Sequence, residues 1–272
     1  MSSLTVRRPS FDLTGMRAVW APHREWAHQI NSANIIPTAI EPFLIKVMRR
    51  AKADLDPVAD AELIDDIDLF NRQEAQHYKA HDLFVEMIAA DGYPAIVDHD
   101  NKLKDEYDEF LRARDLEWLL GYCEGFEALA AAGAHVWVDG GWGEYLQGAD
   151  PRGVALWRWH LAEEYEHRTV VHRLFHRLST GTPAEVYAKR IATFQFAVEH
   201  IRGATDALLQ YLLGVDRSSM TVDERAASEA RSAAVAERFA ANQAGVAAVF
   251  LDSWDPTVLP KPELLDEVLS QY

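Results

Sequence analysis

The sequence predicts an all-α fold, a four-helix bundle with additional C-terminal helices, and three observations predict it. Proline and glycine fall in clusters, and the stretches between them are long, periodic and rich in Ala and Leu. No run of alternating β-branched residues interrupts those stretches. Two Glu-x-x-His sequences lie in separate helical stretches, with further glutamates on the stretches before and between them. A bundle with extra helices can absorb 272 residues around one core. Residues 1–272 are therefore expected to form a single domain, with a metal-binding core over about 38–180, accessory helices over about 183–251 and a tail over 252–272.

The elements follow from their punctuation. A first helical stretch covers about 22–34 and is interrupted by Pro37, and a second covers about 38–53. Asp56-Pro57 reads as an N-cap followed by proline at the first helical position, opening a helix that runs to Asp91-Gly92. After Tyr93-Pro94 the segment over about 103–138 reads as one long helix ended by Asp139-Gly140-Gly141, and Asp150-Pro151 opens another that stops at Thr180-Gly181. Thr182-Pro183 opens a helix over about 183–213, and Thr221 opens one over about 222–251. A proline-containing tail, DPTVLPKPELLDEVLSQY, closes the chain.

Composition narrows the function. With 27 basic against 43 acidic residues the net charge is −16, which repels phosphate backbones and anionic headgroups, so neither nucleic acid nor a membrane surface is expected as a partner. The opening MSSLTVRRPSFDLTG carries no apolar stretch of signal-peptide length, and no apolar run reaches roughly 18 residues, so a cytoplasmic location is expected. The single cysteine, Cys123, excludes an intrachain disulfide and any site built from several thiolates. Metal chemistry here must come from Glu, Asp and the eleven His.

The Glu-x-x-His pairs are Glu74 with His77 in FNRQEAQHYKAHDLF, and Glu164 with His167 in LWRWHLAEEYEHRTVVHRLF. Three residues apart on a helix, both side chains reach the same neighbourhood. Carboxylate-bridged two-metal bundles draw one such pair from each of two helices and one Glu from each of the other two. Glu41, ahead of the first pair, and Glu124, with Glu127 as its substitute, are the candidates for those two. Thr38-x-x-Glu41 also fits a capping box, which would give Glu41 a purely structural use. Each motif is extended by one histidine: His81 lies four residues after His77, and His160 four before Glu164. Either is a further ligand or a hydrogen-bond partner of one. His135, His172, His176 and His200 read as packed or surface histidines, and Trp137, Trp142, Trp157 and Trp159 as core and interface residues, with a substrate-pocket role second.

QEAQH with its later histidine, followed by WRWHLAEEYEH, resembles the ferritin-like family labelled predicted metal-dependent hydrolases, over the region from Glu41 to about Arg190. The spacing of His160, Glu164 and His167 is also similar to that of di-iron enzymes of the p-aminobenzoate N-oxygenase type. That second resemblance implies that the additional histidine ligates metal and that the chemistry is oxygenation, with an amine as substrate.

A carboxylate-rich set with a few imidazoles suits two iron ions, with manganese or zinc as alternatives. The expected function is therefore a di-iron oxidase or oxygenase that takes O2, an electron donor and a small organic substrate. The alternative is a two-metal hydrolase of an ester, amide or phosphate, and a third reading is a non-catalytic metal-binding protein. The Ala- and Arg-bearing stretch around 222–245 fits either the bundle itself or a homodimer face.

Overall fold

The computed structural model describes residues 4–242 and 244–272. Among them the regular structure is helical throughout, with no strand. In chain order the helices are α1 (Arg24–Ala33), α2 (Ile35–Lys52), α3 (Ala61–Ala90), α4 (Ile96–Ala113), α5 (Leu116–Val138), α6 (Pro151–His167), α7 (Val170–Leu178), α8 (Pro183–Arg217), α9 (Val222–Asn242) and α10 (Leu265–Leu269).

Four of them form the bundle that carries the site. α2 pairs with α3 and α5 with α6, while α2 also meets α5 and α3 meets α6, which closes the square. α2 earns its central place from the run IIPTAIEPFLIKVM, buried on almost every side, with Glu41 inside it. A helix that is apolar all round has no solvent face and must be surrounded. Outside the bundle, α8 lies along α5, α1 packs on α8 and α9 on α1.

The punctuation signals hold where a side-chain cap precedes a proline at the start of a helix, and elsewhere the boundaries shift. Asp150 accepts from the Arg152 N–H ahead of Pro151, and Thr182 and Glu185 form a reciprocal capping box ahead of α8. By contrast, Asp56-Pro57 does not open α3. The Asp56 carboxylate accepts from the Val58 and Ala59 N–H groups in a turn, and α3 starts only at Ala61. The break between the first two helices lies at Asn34 rather than Pro37, which sits in the first turn of α2 where its missing N–H costs nothing. The expected helix over 103–138 is two: Arg114 is extended, and Asp115 caps α5 by accepting from the Trp118 N–H. The expected helix up to 180 is likewise split into α6 and α7. At the far end α9 stops at Asn242, and Ala244–Phe250 forms a 3₁₀ turn against α5.

An aromatic layer closes one end of the bundle. Trp26 meets Trp20, Trp137 and Trp142, and Trp137 stacks on Trp157 at 5.5 Å. All five indoles are buried. No helix of the described residues is long and apolar enough to cross a membrane.

Candidate metal centre

The four bundle helices bring one carboxylate–imidazole cluster together. α2 supplies Glu41, α3 supplies Glu74 and His77, α5 supplies Glu127, and α6 supplies His160, Glu164 and His167. None of these seven is more than 2% exposed. Two groups of ligand atoms form within it, Glu41 with His77, His160 and Glu164, and Glu74 with Glu164 and His167, each group's atoms lying within 4.8 Å of one another.

Glu164 belongs to both groups, one oxygen to each. Its Oε1 lies 3.0 Å from His160 Nε2 and 3.5 Å from His77 Nδ1, and its Oε2 lies 3.4 Å from His167 Nε2. Glu74 spans them in the same way, with Oε1 at 3.2 Å from His167 Nε2 and Oε2 at 3.7 Å from His77 Nδ1. Glu41 Oε1 completes the first group at 3.3 Å from His160 Nε2, and Glu127 Oε2 stands beside the second at 3.3 Å from His167 Nε2. The arrangement is two adjacent groups of candidate ligand atoms that share Glu164, with Glu74 placed between them.

The chemistry of the donors fits cations. Both oxygens of Glu41, Glu74 and Glu127, together with Glu164 Oε2, His77 Nδ1 and His167 Nε2, are buried and have no hydrogen-bond partner. Buried polar atoms are normally paired, and an unpaired buried carboxylate is among the most costly of them. Their clustering on one point makes this a buried His/Glu site suited to two metal ions.

Electrostatics give the same picture from the proton's side. Burial, then the charge of Glu74, holds the Glu41 carboxyl well above the usual carboxylate range. Burial and the Glu164 charge push Glu127 up to about 8 and also raise Glu74. At Glu164 burial acts upward, but His167, His160 and His77 outweigh it and hold that carboxyl well below its ordinary value. Burial would lower His77 and His167, yet the surrounding carboxylates raise both well above the usual imidazole range. Burial and then His77 push His160 down to about 4. Without cations the cluster must retain protons to limit its own repulsion.

The sequence model of the family described as "Predicted metal-dependent hydrolase" matches residues 5–259, nearly the whole chain. The chain belongs to that family. No curated protein and no solved structure matches it. The likeness to N-oxygenases therefore rests on the spacing of His160, Glu164 and His167 alone.

Two expected placements change. Glu124 is not the carboxylate that α5 turns to the cluster. It sits one turn earlier, where Oε1 meets His172 Nδ1 at 2.9 Å and Arg190 Nη1 at 3.6 Å, while Glu127 faces His167. Nor does Glu41 serve a capping box, since Thr38 lies inside α2 and its hydroxyl donates to Ile35 O and to Asp100. His81 stands behind His160 rather than in either group. The Asn34 amide donates to His81 O, so Asn34 Oδ1 is left to accept from His81 Nδ1, at 2.6 Å. His81 Nε2 then accepts from His160 Nδ1, at 2.7 Å, which leaves His160 Nε2 turned to Glu41 and Glu164.

Sequence reasoning missed the residue before each Glu-x-x-His. Glu163 Oε2 accepts from His77 Nε2 at 2.9 Å, and Gln73 Oε1 accepts from His167 Nδ1 at 3.2 Å. Each motif thus braces the histidine of the other, and the signal was the polar pair, Gln73-Glu74 and Glu163-Glu164, opening both motifs. Indole edges close the site, Trp159 against His77 and Trp157 against His81, and Trp157 also stacks on His160.

Proposed function

We propose that this chain holds two divalent metal ions and hydrolyses an ester, amide or phosphate bond of a small organic substrate. The observation that carries the reading is the set of buried ligand atoms without hydrogen-bond partners, divided into two groups that share Glu164. Family membership favours hydrolysis over the other chemistries such a centre can run. Glu41, Glu74, Glu127, Glu164, His77, His160 and His167 would hold the ions. Two ions bound there would supply Lewis-acid charge and lower the pKa of water to about 7. The chain's own part is to fix the ligands in place, hold a proton on His160 Nδ1 through His81 and Asn34, and exclude bulk water with Trp157 and Trp159.

A second reading is O2 activation by two iron ions, oxidising or oxygenating a small organic substrate. Two observations favour it: a ligand set of four carboxylates and three imidazoles suits iron or manganese, and complete burial admits a small gas more readily than an extended ester.

The test begins with elemental analysis of purified protein. Protein loaded with Mn2+, Zn2+ or Fe2+ is then assayed against ester, amide and phosphoester panels and, separately, in an oxygen electrode, with Glu164→Ala alongside. Hydrolysis that needs no oxygen and disappears in Glu164→Ala is the expected result. Oxygen uptake by the Fe2+ form without hydrolysis would move the assignment to the second reading, and failure to retain any metal would sink both.

A further inference from the structure

Both braces of the histidines converge on one cation outside the bundle. Arg7, in the extended segment before α1, donates from Nη1 to Glu163 Oε1 at 2.9 Å and to Glu166 Oε2 at 2.9 Å, and from Nη2 to Glu166 Oε1 at 3.0 Å. Glu163 is the group that accepts from His77. Glu166 Oε2 accepts from Gln73 Nε2 at 2.7 Å, and Gln73 is the group that accepts from His167. The same segment is pinned by Gln73 Nε2 donating to Thr5 O, and Arg7 Nε reaches Leu269 O of α10.

We infer that Arg7 is a positioning residue of the metal centre, fixing the tautomers of His77 and His167 through Glu163 and through Glu166 with Gln73, so that docking of the N-terminal segment and metal binding are linked. The inference rests on the metal reading above. A hydrogen-bond acceptor on one ring nitrogen fixes the N–H there, so that in a metal-bound ring the other nitrogen faces the ligand site with its lone pair, and the acceptor also raises the ring's basicity toward metal. Glu163 does this for His77, leaving Nδ1 toward the cluster, and Gln73 does it for His167, leaving Nε2. Neither brace is self-supporting. Glu163 has no exposed side-chain surface, so without Arg7 it would be a buried carboxylate held only by His77. Without Arg7, Glu166 would lose the partner that sets its oxygens beside Gln73. The planar fork of arginine suits this bidentate task and a lysine ammonium does not. Because linkage is reciprocal, whatever factor Arg7 contributes to metal affinity, the metal returns to docking of the segment.

The experiment titrates Co2+ into wild type, Arg7→Met, Arg7→Lys, Glu163→Leu and the Arg7→Met/Glu163→Leu double variant, reading affinity by chelator competition and ligand geometry by the visible spectrum. Arg7→Met and Glu163→Leu are each expected to weaken Co2+ binding by about 10- to 100-fold with an altered spectrum. The double variant should lose less than the product of the two, and Arg7→Lys should recover only part. In wild type, Co2+ loading should slow tryptic cleavage of the Arg7–Arg8 bond tenfold or more, a readout that needs no variant to fold. Wild-type affinity and spectrum in a folded Arg7→Met, or cleavage of that bond at the same rate with and without Co2+, would overturn the inference. Failure of wild type to bind Co2+ at all would instead overturn the metal reading, and this inference with it.

Discussion

At the scale of single residues, the difference between Glu124 and Glu127 shows how little separates a carboxylate of the cluster from a structural ion pair. Both are buried glutamates on α5, three residues apart. Three residues turn a helix by about 300°, enough to send Glu127 to His167 and Glu124 to His172 and Arg190. Glu127→Gln is therefore expected to weaken metal retention by roughly tenfold or more, while Glu124→Gln keeps both ions and lowers stability by leaving Arg190 without its counter-charge. Elemental analysis after loading and desalting, beside a thermal melt, separates the two. Metal loss in Glu124→Gln with none in Glu127→Gln would reverse the assignment. The Glu-x-x-His pairs and His160 were visible as candidates in the sequence because three- and four-residue spacings are local, and Glu41 because it lies on the helical stretch ahead of the first pair. Choosing between Glu124 and Glu127 needed the rotation of α5 relative to α6.

Elements add a constraint that no ligand list contains. α5 can approach α8 because it carries glycine where the two meet. A Cβ on Gly125 would stand 3.0 Å from Phe194 Cα and 3.3 Å from its ring, and one on Gly121 would meet the Thr193 hydroxyl, which is already donating to Lys189 O and Arg190 O. Gly125→Ala gains about 1 kcal/mol of helix propensity but overpacks this contact at a cost of about 1–3 kcal/mol. Net destabilisation with a drop in Tm of about 2–4 °C is expected, read by circular dichroism on metal-free protein; a rise in Tm would mean that α8 moves aside freely. The helix breaks at Arg114 and at Arg168–Thr169 were not legible for a related reason. Neither break carries the proline or glycine that marks the other boundaries: Asp115 caps α5 without a following proline, and Thr169 makes no side-chain cap at all.

At the scale of the whole molecule, the cluster makes stability depend on pH and on metal together. Glu127, with a pKa of about 8, and His77 and His167, both raised, keep their protons in the folded protein at pH values where the unfolded chain has released them. Groups with raised folded pKa values contribute stability that is present at low pH and lost as pH rises through those values. His160, lowered to about 4, acts in the opposite sense but does so below the ordinary imidazole range, near 6.5. Between about pH 6.5 and 8 the raised groups dominate, so metal-free protein should lose stability across that window. Cations that replace the protons reverse the trend. The gain in Tm on adding Mn2+ or Zn2+ should therefore grow from pH 6.5 to 8, measured by thermal unfolding with and without chelator. A gain that shrinks with pH would contradict the cluster's protonation as described.

The sequence by itself determined that the chain is helical, that two motif helices and two further carboxylate helices share a site, and that the site is built from Glu and His. Those conclusions rest on local periodicity and on side-chain chemistry, which do not depend on distant contacts. Only the tertiary structure decided that Glu127 faces His167, that His81 supports His160, that Glu163 and Gln73 brace the opposite motif's histidine, and that Arg7 gathers both braces through Glu163 and Glu166, each more than 150 residues away in the chain. Each of these is a relation between helices, set by how they rotate and slide against one another as the bundle closes, and no spacing along a single helix encodes it.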